Sequence, residues 1–152
     1  MKLRLAEPKD SLAILHWRND PHSRAMSRDQ KHIDEVSHNL WFEKLLQNPK
    51  RLLLIGEMMD EAVGMVRFDQ LINGTTWEVS IALAPQFRGQ GLSKKLLEKS
   101  LNYFHSKYSE AVILAEIKQS NVPSRKLFES LGFQYVSTQG DILCFSYEEA
   151  YA

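Results

Sequence analysis

A chain with a single cysteine cannot form an internal disulfide, so Cys144 leaves this 152-residue protein to hold itself together by packing. The thiol needs no oxidising compartment, and a cytoplasmic setting is expected. No apolar run approaches the ~18 residues of a membrane span, and the N-terminus lacks the apolar core of a cleavable signal, so no membrane partner is expected. An excess of charge is missing too: 19 Lys+Arg stand against 19 Asp+Glu. A net charge of zero argues against nucleic acid as a partner. His16, His22, His32 and His38 cluster in sequence without a helix-spaced ligand signature, so no metal is expected. Nothing in the sequence sets an oligomeric state. With 43% apolar and 25% charged residues and neither repeat nor low-complexity linker, residues 1–152 read as one globular domain.

Glycine is scarce, at seven residues, and two of the seven stand together in Arg88-Gly89-Gln90-Gly91-Leu92-Ser93. Before this stretch Trp77, Val79, Ile81 and Leu83 alternate with Glu78, Ser80 and Ala82, the period-two pattern of a half-buried strand. After it Leu92, Leu96, Leu97, Leu101 and Phe104 share one face of a helix running to about Lys107. The loop thus opens a helix whose first free N–H groups and dipole form an anion site. Gly89 and Gly91 allow close approach of backbone amides to phosphate oxygens, and Arg88 adds a forked cation. Two better-known loops are excluded. The dinucleotide fingerprint needs a third glycine where Lys94 stands, and the nucleotide-triphosphate loop needs a Gly-Lys-Ser/Thr that is absent.

The remaining elements follow from the same signals. Strands are expected at Lys2 to Ala6, Arg51 to Met58 and Ala62 to Asp69, and helices at Pro8 or Lys9 to Arg18 and from Val36 to the Asn48-Pro49 stop. The span from Asp20 to Ile33 reads as a polar loop broken by a short helix. Asp60-Glu61 marks a turn, and Asn73-Gly74 a hairpin in which both residues accept positive φ. The apolar strand from Ala111 to Ile117 leads to a short helix from Pro123 to Leu131, ended by Gly132. Gln134 to Ser137 and Ile142 to Tyr147 close the sheet across Gln139-Gly140-Asp141.

Leu83 to Leu92 and Asn121 to Gly132-Phe133, in this order and some thirty residues apart, resemble the GNAT superfamily of acetyl-coenzyme A-dependent N-acetyltransferases. The resemblance in motif order extends from Lys2 to Tyr147. It implies an α/β fold in a single domain, with a central twisted mixed sheet of about seven strands and helices on both faces. It implies acetyl-CoA as acyl donor, its pyrophosphate on the amides of Arg88, Gly89, Gln90, Gly91, Leu92 and Ser93. The pantetheine arm would lie against Ile81, Ala82 and Leu83, with Asn121 and Ser124 at the second helix. The partner is then a small-molecule amine, acetylated by direct transfer from the thioester. Glu78, on the strand face opposite Val79 and Ile81, is the candidate base. Phe128 stands where the family often supplies an acidic tyrosine, which leaves Tyr103, Tyr108 and Tyr135 as unranked substitutes.

For the acceptor, Trp17-Arg18-Asn19, Arg24 and His38 to Phe42 resemble two subgroups. One acts on nucleotide-linked amino sugars of pseudaminic acid-type synthesis, to which the His38 to Phe42 spacing is closer; the other acetylates ribosomal-protein or peptide N-termini. Trp17 and Trp41 would stack on a sugar or base, and Arg18 or Arg24 would grip a phosphate, with Asn19 and His38 beside them. On helices of this pattern, core packing competes with that role. An acyl-CoA-binding module without catalysis is the alternative that Phe128 favours.

Overall fold

The computed structural model describes residues 1–27 and 30–147; the last residues of the expected 1–152 domain lie outside it. Seven strands form one sheet in the order β1-β2-β3-β4-β5-β7-β6. They are β1 (Lys2–Leu5), β2 (Arg51–Met58), β3 (Glu61–Gln70), β4 (Thr76–Leu83), β5 (Val112–Lys118), β6 (Gln134–Gln139) and β7 (Ile142–Tyr147). Every neighbouring pair is antiparallel except β4 with β5. That pair needs a crossover, and the helix after the glycine loop, α4 (Leu92–Lys107), makes it. The other helices are α1 (Ser11–Asn19), α2 (Pro21–Ala25), α3 (Glu35–Gln47) and α5 (Val122–Ser130).

Strand alternation sorts the sheet into two faces. Trp77, Val79 and Leu83 of β4 point to the face covered by α4 and α5, where they join Phe68, Leu96, Phe104, Ile113, Phe128 and Phe145 in one core. On the other face Leu53, Ile55 and Met65 pack against Ile14 and Trp17 of α1 and Phe42 and Leu45 of α3. The second core covers the β2–β3 half of its face. Registers place Asp69 beside Glu78, Arg67 beside Ser80 and Met65 beside Ala82, so Glu78 and Ser80 share the α1–α3 face.

The turns differ from expectation in an instructive way. The tight two-residue hairpin is Met59-Asp60, between paired Met58 and Glu61, with φ of 52° and 64°. At the next reversal only Gly74 takes positive φ, at 77°. There Asn73 works through its side chain instead, its Oδ1 accepting from the Thr75 and Thr76 amides at 3.1 and 3.0 Å. The helix expected from Pro8 begins as a 3-10 turn, Pro8–Asp10, ahead of α1. Asp10 is buried there and accepts from Arg4 Nη1 and Nη2 at 2.8 and 2.7 Å, which ties β1 to α1.

Close seating of α4 on the sheet depends on Gly64, which is paired with Leu83. A Cβ there would meet the Ala82 carbonyl at 2.7 Å, Leu83 Cδ2 at 2.8 Å and Leu96 Cδ2 at 3.0 Å. The first of these is backbone and cannot rotate away. Gly64→Ala should therefore lower stability by about 1–3 kcal/mol through overpacking, seen as a lower urea midpoint at unchanged m-value. An unchanged midpoint would show that the strand and helix shift freely.

Candidate active site

Pairing between β4 and β5 covers only Thr76 with Val112, Trp77 with Ile113 and Glu78 with Leu114. Beyond that point β4 stays bound to β3 as far as Leu83, and β5 stays bound to β7 as far as Lys118. Each strand keeps its outer partner while the inner pairing ends, so a gap opens between them. The β5-facing backbone groups of the 80–83 segment have lost their sheet partner and require another.

At the end of the gap lies the glycine loop. Gly89 and Gly91 both take φ of 75°, in the left-handed region that a side chain disfavours. Gly91 is the N-cap of α4 and supplies no side-chain oxygen, whereas α3 and α5 are capped by Asp34 and Asn121, accepting from the Ser37 and Ser124 amides at 2.8 and 3.3 Å. The α4 amides thus face outward, uncapped by any side chain, beside the gap. Leu92 and Ser93 start the helix and are half-buried. Gln90 is exposed, its amide reaching back to the Gln86 carbonyl at 3.2 Å. Across the gap, Asn121 spends Oδ1 on its cap, so its –NH2 end is the part left to reach a ligand. Arg125 follows on α5 with a buried Nε that has no hydrogen-bond partner.

The Arg88 guanidinium is occupied elsewhere. Its Nη2 donates to Asp20 Oδ2 at 2.7 Å and to Ser23 Oγ at 2.9 Å. Burial pushes the Asp20 carboxyl up, but hydrogen bonds from Arg88 and the Ser23 amide outweigh it and hold Asp20 below the usual carboxylate range. Lys118 Nζ, at the end of β5, donates to the Ala25 carbonyl at 3.1 Å. Short α2 therefore bridges the mouth of the gap, tied to the β4 side at one end and the β5 side at the other. Through Nη2 the expected forked cation for a phosphate is here a brace for α2, and the Arg88 amide is spent on the Pro85 carbonyl at 3.3 Å, which leaves the loop amides from Gly89 onward to meet a ligand.

Two carboxylates stand on the α1–α3 face at the gap. Glu78 sits where pairing ends, and Glu116, on β5, is paired across with Cys144. Burial raises the Cys144 thiol, and Glu116 and Glu78 raise it further, which places both charges near one sulfur. Glu116 does not stand out in the sequence because Ala111 to Ile117 reads as one apolar strand. Strict alternation of Ile113, Ala115 and Ile117 would have turned it to the face of Glu78. Phe128 is a core side chain, 3% exposed and edge-on to Phe133 at 4.9 Å. Tyr108 packs on Trp77 and Tyr135 on Phe145, and Tyr103 borders the same core, so these three tyrosines belong to the opposite face from Glu78.

Several expected acceptor contacts have structural duties. Trp17 is 5% exposed and packs in the α1–α3 core, its remaining edge meeting a cavity of about 780 Å³ on the β3 side of β4. Asn19 donates to the Ile33 carbonyl and accepts from the Ile33 amide, both at 2.7 Å, which pins the loop before α3. Arg24 donates to the Gln30 carbonyl at 3.3 Å. His38 is fully buried. The stacking expected of Trp17 gives way to core packing, and His38 is interior as well, because the amphipathic faces of α1 and α3 turn both rings inward. Arg18 and Trp41 alone of this group lie together at partial exposure, the guanidinium carbon 3.9 Å from the ring centroid.

Residues 11–133 match the acetyltransferase (GNAT) family, and the chain belongs to that family. It is an acetyl-CoA-dependent N-acetyltransferase. A [ribosomal protein bS18]-alanine N-acetyltransferase of Haemophilus ducreyi is 34% identical over 109 residues, covering 69% of this chain and 74% of the relative. The protein yncA of Salmonella typhimurium, solved with acetyl-CoA, has a TM-score of 0.83 at 22% identity over 100% of this chain and 95% of that one. Spermidine N-acetyltransferase of Vibrio cholerae, solved with CoA and spermine, reaches 0.86 at 16% identity over 96% and 94%. Membership of an enzyme family sets aside the acyl-CoA-binding module without catalysis. Among the described residues no cluster of three His, Cys, Asp or Glu could hold a metal, and no helix is long and apolar enough to cross a membrane.

His38 sets a pH dependence. Its Nε2 lies 2.8 Å from the Ser11 carbonyl and must donate, so Nδ1 accepts from Arg18 Nη1 at 3.0 Å and the ring is neutral. Burial, only partly offset by the Ser11 carbonyl, lowers its pKa, and the Arg18 charge lowers it further. A neutral group of depressed pKa contributes stability that is complete above about pH 6.5 and is lost as pH falls toward the folded value. Thermal midpoints from pH 8 to 5 should decline below about 6.5, and His38→Gln, which keeps one donor and one acceptor, should flatten that decline. Equal slopes in both proteins would remove His38 as the cause.

Proposed function

We propose that the gap between β4 and β5 holds the acyl donor and that the acceptor is a small primary amine entering from the α1–α3 face. The observation that carries this reading is the loss of β4–β5 pairing after Glu78, next to a helix whose N-terminus has no side-chain cap. The residues fit the donor in kind. Amides of Gly89 to Ser93 would take the pyrophosphate, backbone groups of Ile81, Ala82 and Leu83 the pantetheine amides, and Asn121 and Ser124 the far side of the arm. Acetyl-CoA supplies an activated acyl group on a thiol that leaves with little assistance. The protein then has to orient the amine, hold it neutral and exclude other nucleophiles.

Whether a base is needed depends on the amine. A lysine-like amine of pKa ~10.4 is neutral about once in a few thousand molecules at pH 7, an α-amine near 8 about one time in ten. Glu78 takes the proton, directly or through water, and Glu116 is the second carboxylate within reach of the same face. Phe128 donates nothing, and the thiolate departs without a side-chain acid.

For the acceptor, the amino-sugar reading rested on Trp17 to Asn19 and His38 to Phe42, of which Arg18 and Trp41 stay accessible together. A nucleotide-linked amino sugar therefore stands as one small amine to be tested. The N-terminal alanine of a ribosomal protein is the second reading, favoured by the 34% identity to the bS18-alanine enzyme.

Thiol release from acetyl-CoA, screened over nucleotide amino sugars, amino acids, polyamines and peptides starting with alanine or serine, should single out one class. If an alanine- or serine-starting peptide outperforms every small amine in kcat/KM, the second reading replaces the first. Glu78→Gln should lower kcat at pH 7 by at least ~10²-fold with donor affinity unchanged, and raising the pH should recover part of the loss. A near-normal kcat in Glu78→Gln, with a large loss in Glu116→Gln, would move the role to Glu116. Phe128→Tyr should change kcat by less than about tenfold. Gly91→Val, which puts a β-branched side chain at φ 75°, should weaken acetyl-CoA binding in calorimetry, and unchanged affinity in a folded variant would displace the pyrophosphate from this loop.

A further inference from the structure

Three arginines converge on one indole. The guanidinium carbons of Arg18, Arg67 and Arg51 lie 3.9, 5.5 and 5.8 Å from the Trp41 ring centroid. Among the described residues Asp69 is the carboxylate bonded to two of them. Asp69 accepts from Arg51 Nε at 2.7 Å and from Arg67 Nε at 2.9 Å, and among the described residues these bonds leave the terminal Nη groups of both side chains unengaged. Both arginines keep about a quarter of their side chains accessible, 27% and 24%. Among the described residues Arg18 has no acid partner. Its bond goes to Nδ1 of a neutral His38, which accepts a hydrogen without returning charge. Burial, with Arg67 and Arg51 as neighbours, pushes Arg18 down to about 10.

Such a cluster is poorly explained as a brace. Ion pairs that stabilise bring opposite charges together, and here three like charges share one ring and one carboxylate. The position is also specific. Arg67 is paired with exposed Ser80, one strand away at about 5 Å, and Asp69 with Glu78. Glu78 is two residues from Ser80 along β4, about 7 Å. The titratable groups around the cluster are thus Asp69 within it, Glu78 at its edge, Glu116 beyond on β5 and His38 behind.

We propose that Arg18, Arg51 and Arg67, gathered on Trp41 beside Ser80, form a subsite for an anionic group, a carboxylate or a phosphate, carried by the acceptor amine. This rests on the acetyl-transfer reading above and adds a substrate class. An acceptor held there by its anion reaches with its amine toward Glu78, and a polyamine is repelled. Forked guanidinium donors suit either oxyanion.

The test uses the full chain, acetyl-CoA and acceptor pairs that differ by the anion: alanine against alaninamide, and phosphoethanolamine against ethanolamine, with spermidine as polycation. The anionic member of one pair should have the higher kcat/KM by about tenfold or more, mainly through KM, and spermidine should be poorest. A preference confined to the first pair assigns carboxylate, and one confined to the second assigns phosphate. The ratio should fall toward one in Arg67→Gln. It should also fall in Ser80→Asp, which sets a carboxylate beside Arg67 at an exposed position where folding is undisturbed. A readout independent of turnover is the Trp41 indole N–H resonance, identified by its loss in Trp41→Phe. Inorganic phosphate or acetate should shift it saturably in the wild type and not in Arg67→Gln. Turnover with no anion preference, or a preference unchanged in both variants, overturns the subsite and leaves acetyl transfer standing. A saturable shift with no turnover of any acceptor supports the subsite and counts against the transfer reading. Neither shift nor turnover overturns the subsite.

Discussion

The early end of pairing between β4 and β5 is the constraint on which the site depends. It arises because β4 is held on its other side by β3 to Leu83, while β5 is held by β7 to Lys118, so the two strands follow different partners as the sheet twists. Backbone N–H and C=O groups along the opening are strong hydrogen-bonding groups that have no β5 partner on that side. An extended ligand with alternating amides satisfies them at no cost in side-chain entropy. The same opening sets Glu78 at its apex and Glu116 on its far wall.

What covers the opening is as consequential as the opening itself. Helix α2 has only five residues and buries no side chain. Its place is fixed by polar ties: Asp20 and Ser23 to Arg88, and the Ala25 carbonyl to Lys118. An element held by partly exposed polar contacts opens at lower free energy than one held by a core. The sheet and α4 supply the rigid half of the site, and α2 the adjustable half.

Much of this was legible in the sequence. The seven strands and the helix order follow from alternation in β4, the leucine face of α4 and the Asn48-Pro49 and Gly132 stops, because those local signals agree with the tertiary packing. The turn chemistry was less legible: Met59-Asp60 adopts the positive-φ hairpin that Asn73-Gly74 advertises more strongly. Side-chain partners separated by long sequence were not legible at all. Arg88 with Asp20, and Arg18 with Arg51, Arg67 and Trp41, meet only because the fold brings separate elements together, four of them in the second case, and no spacing rule encodes that. Trp17 and His38 look like ligand contacts in a linear motif and turn out to be interior once α1 and α3 are seated on the sheet.

Amide hydrogen exchange with and without acetyl-CoA reads the opening itself. Protection should rise in the 80–83 and 89–93 segments together, the two stretches whose backbone donors face the opening and the α4 N-terminus. Protection concentrated instead around the cavity on the β3 side of β4, in residues 32–35 and 61–62, with the 80–83 amides unchanged, would contradict it.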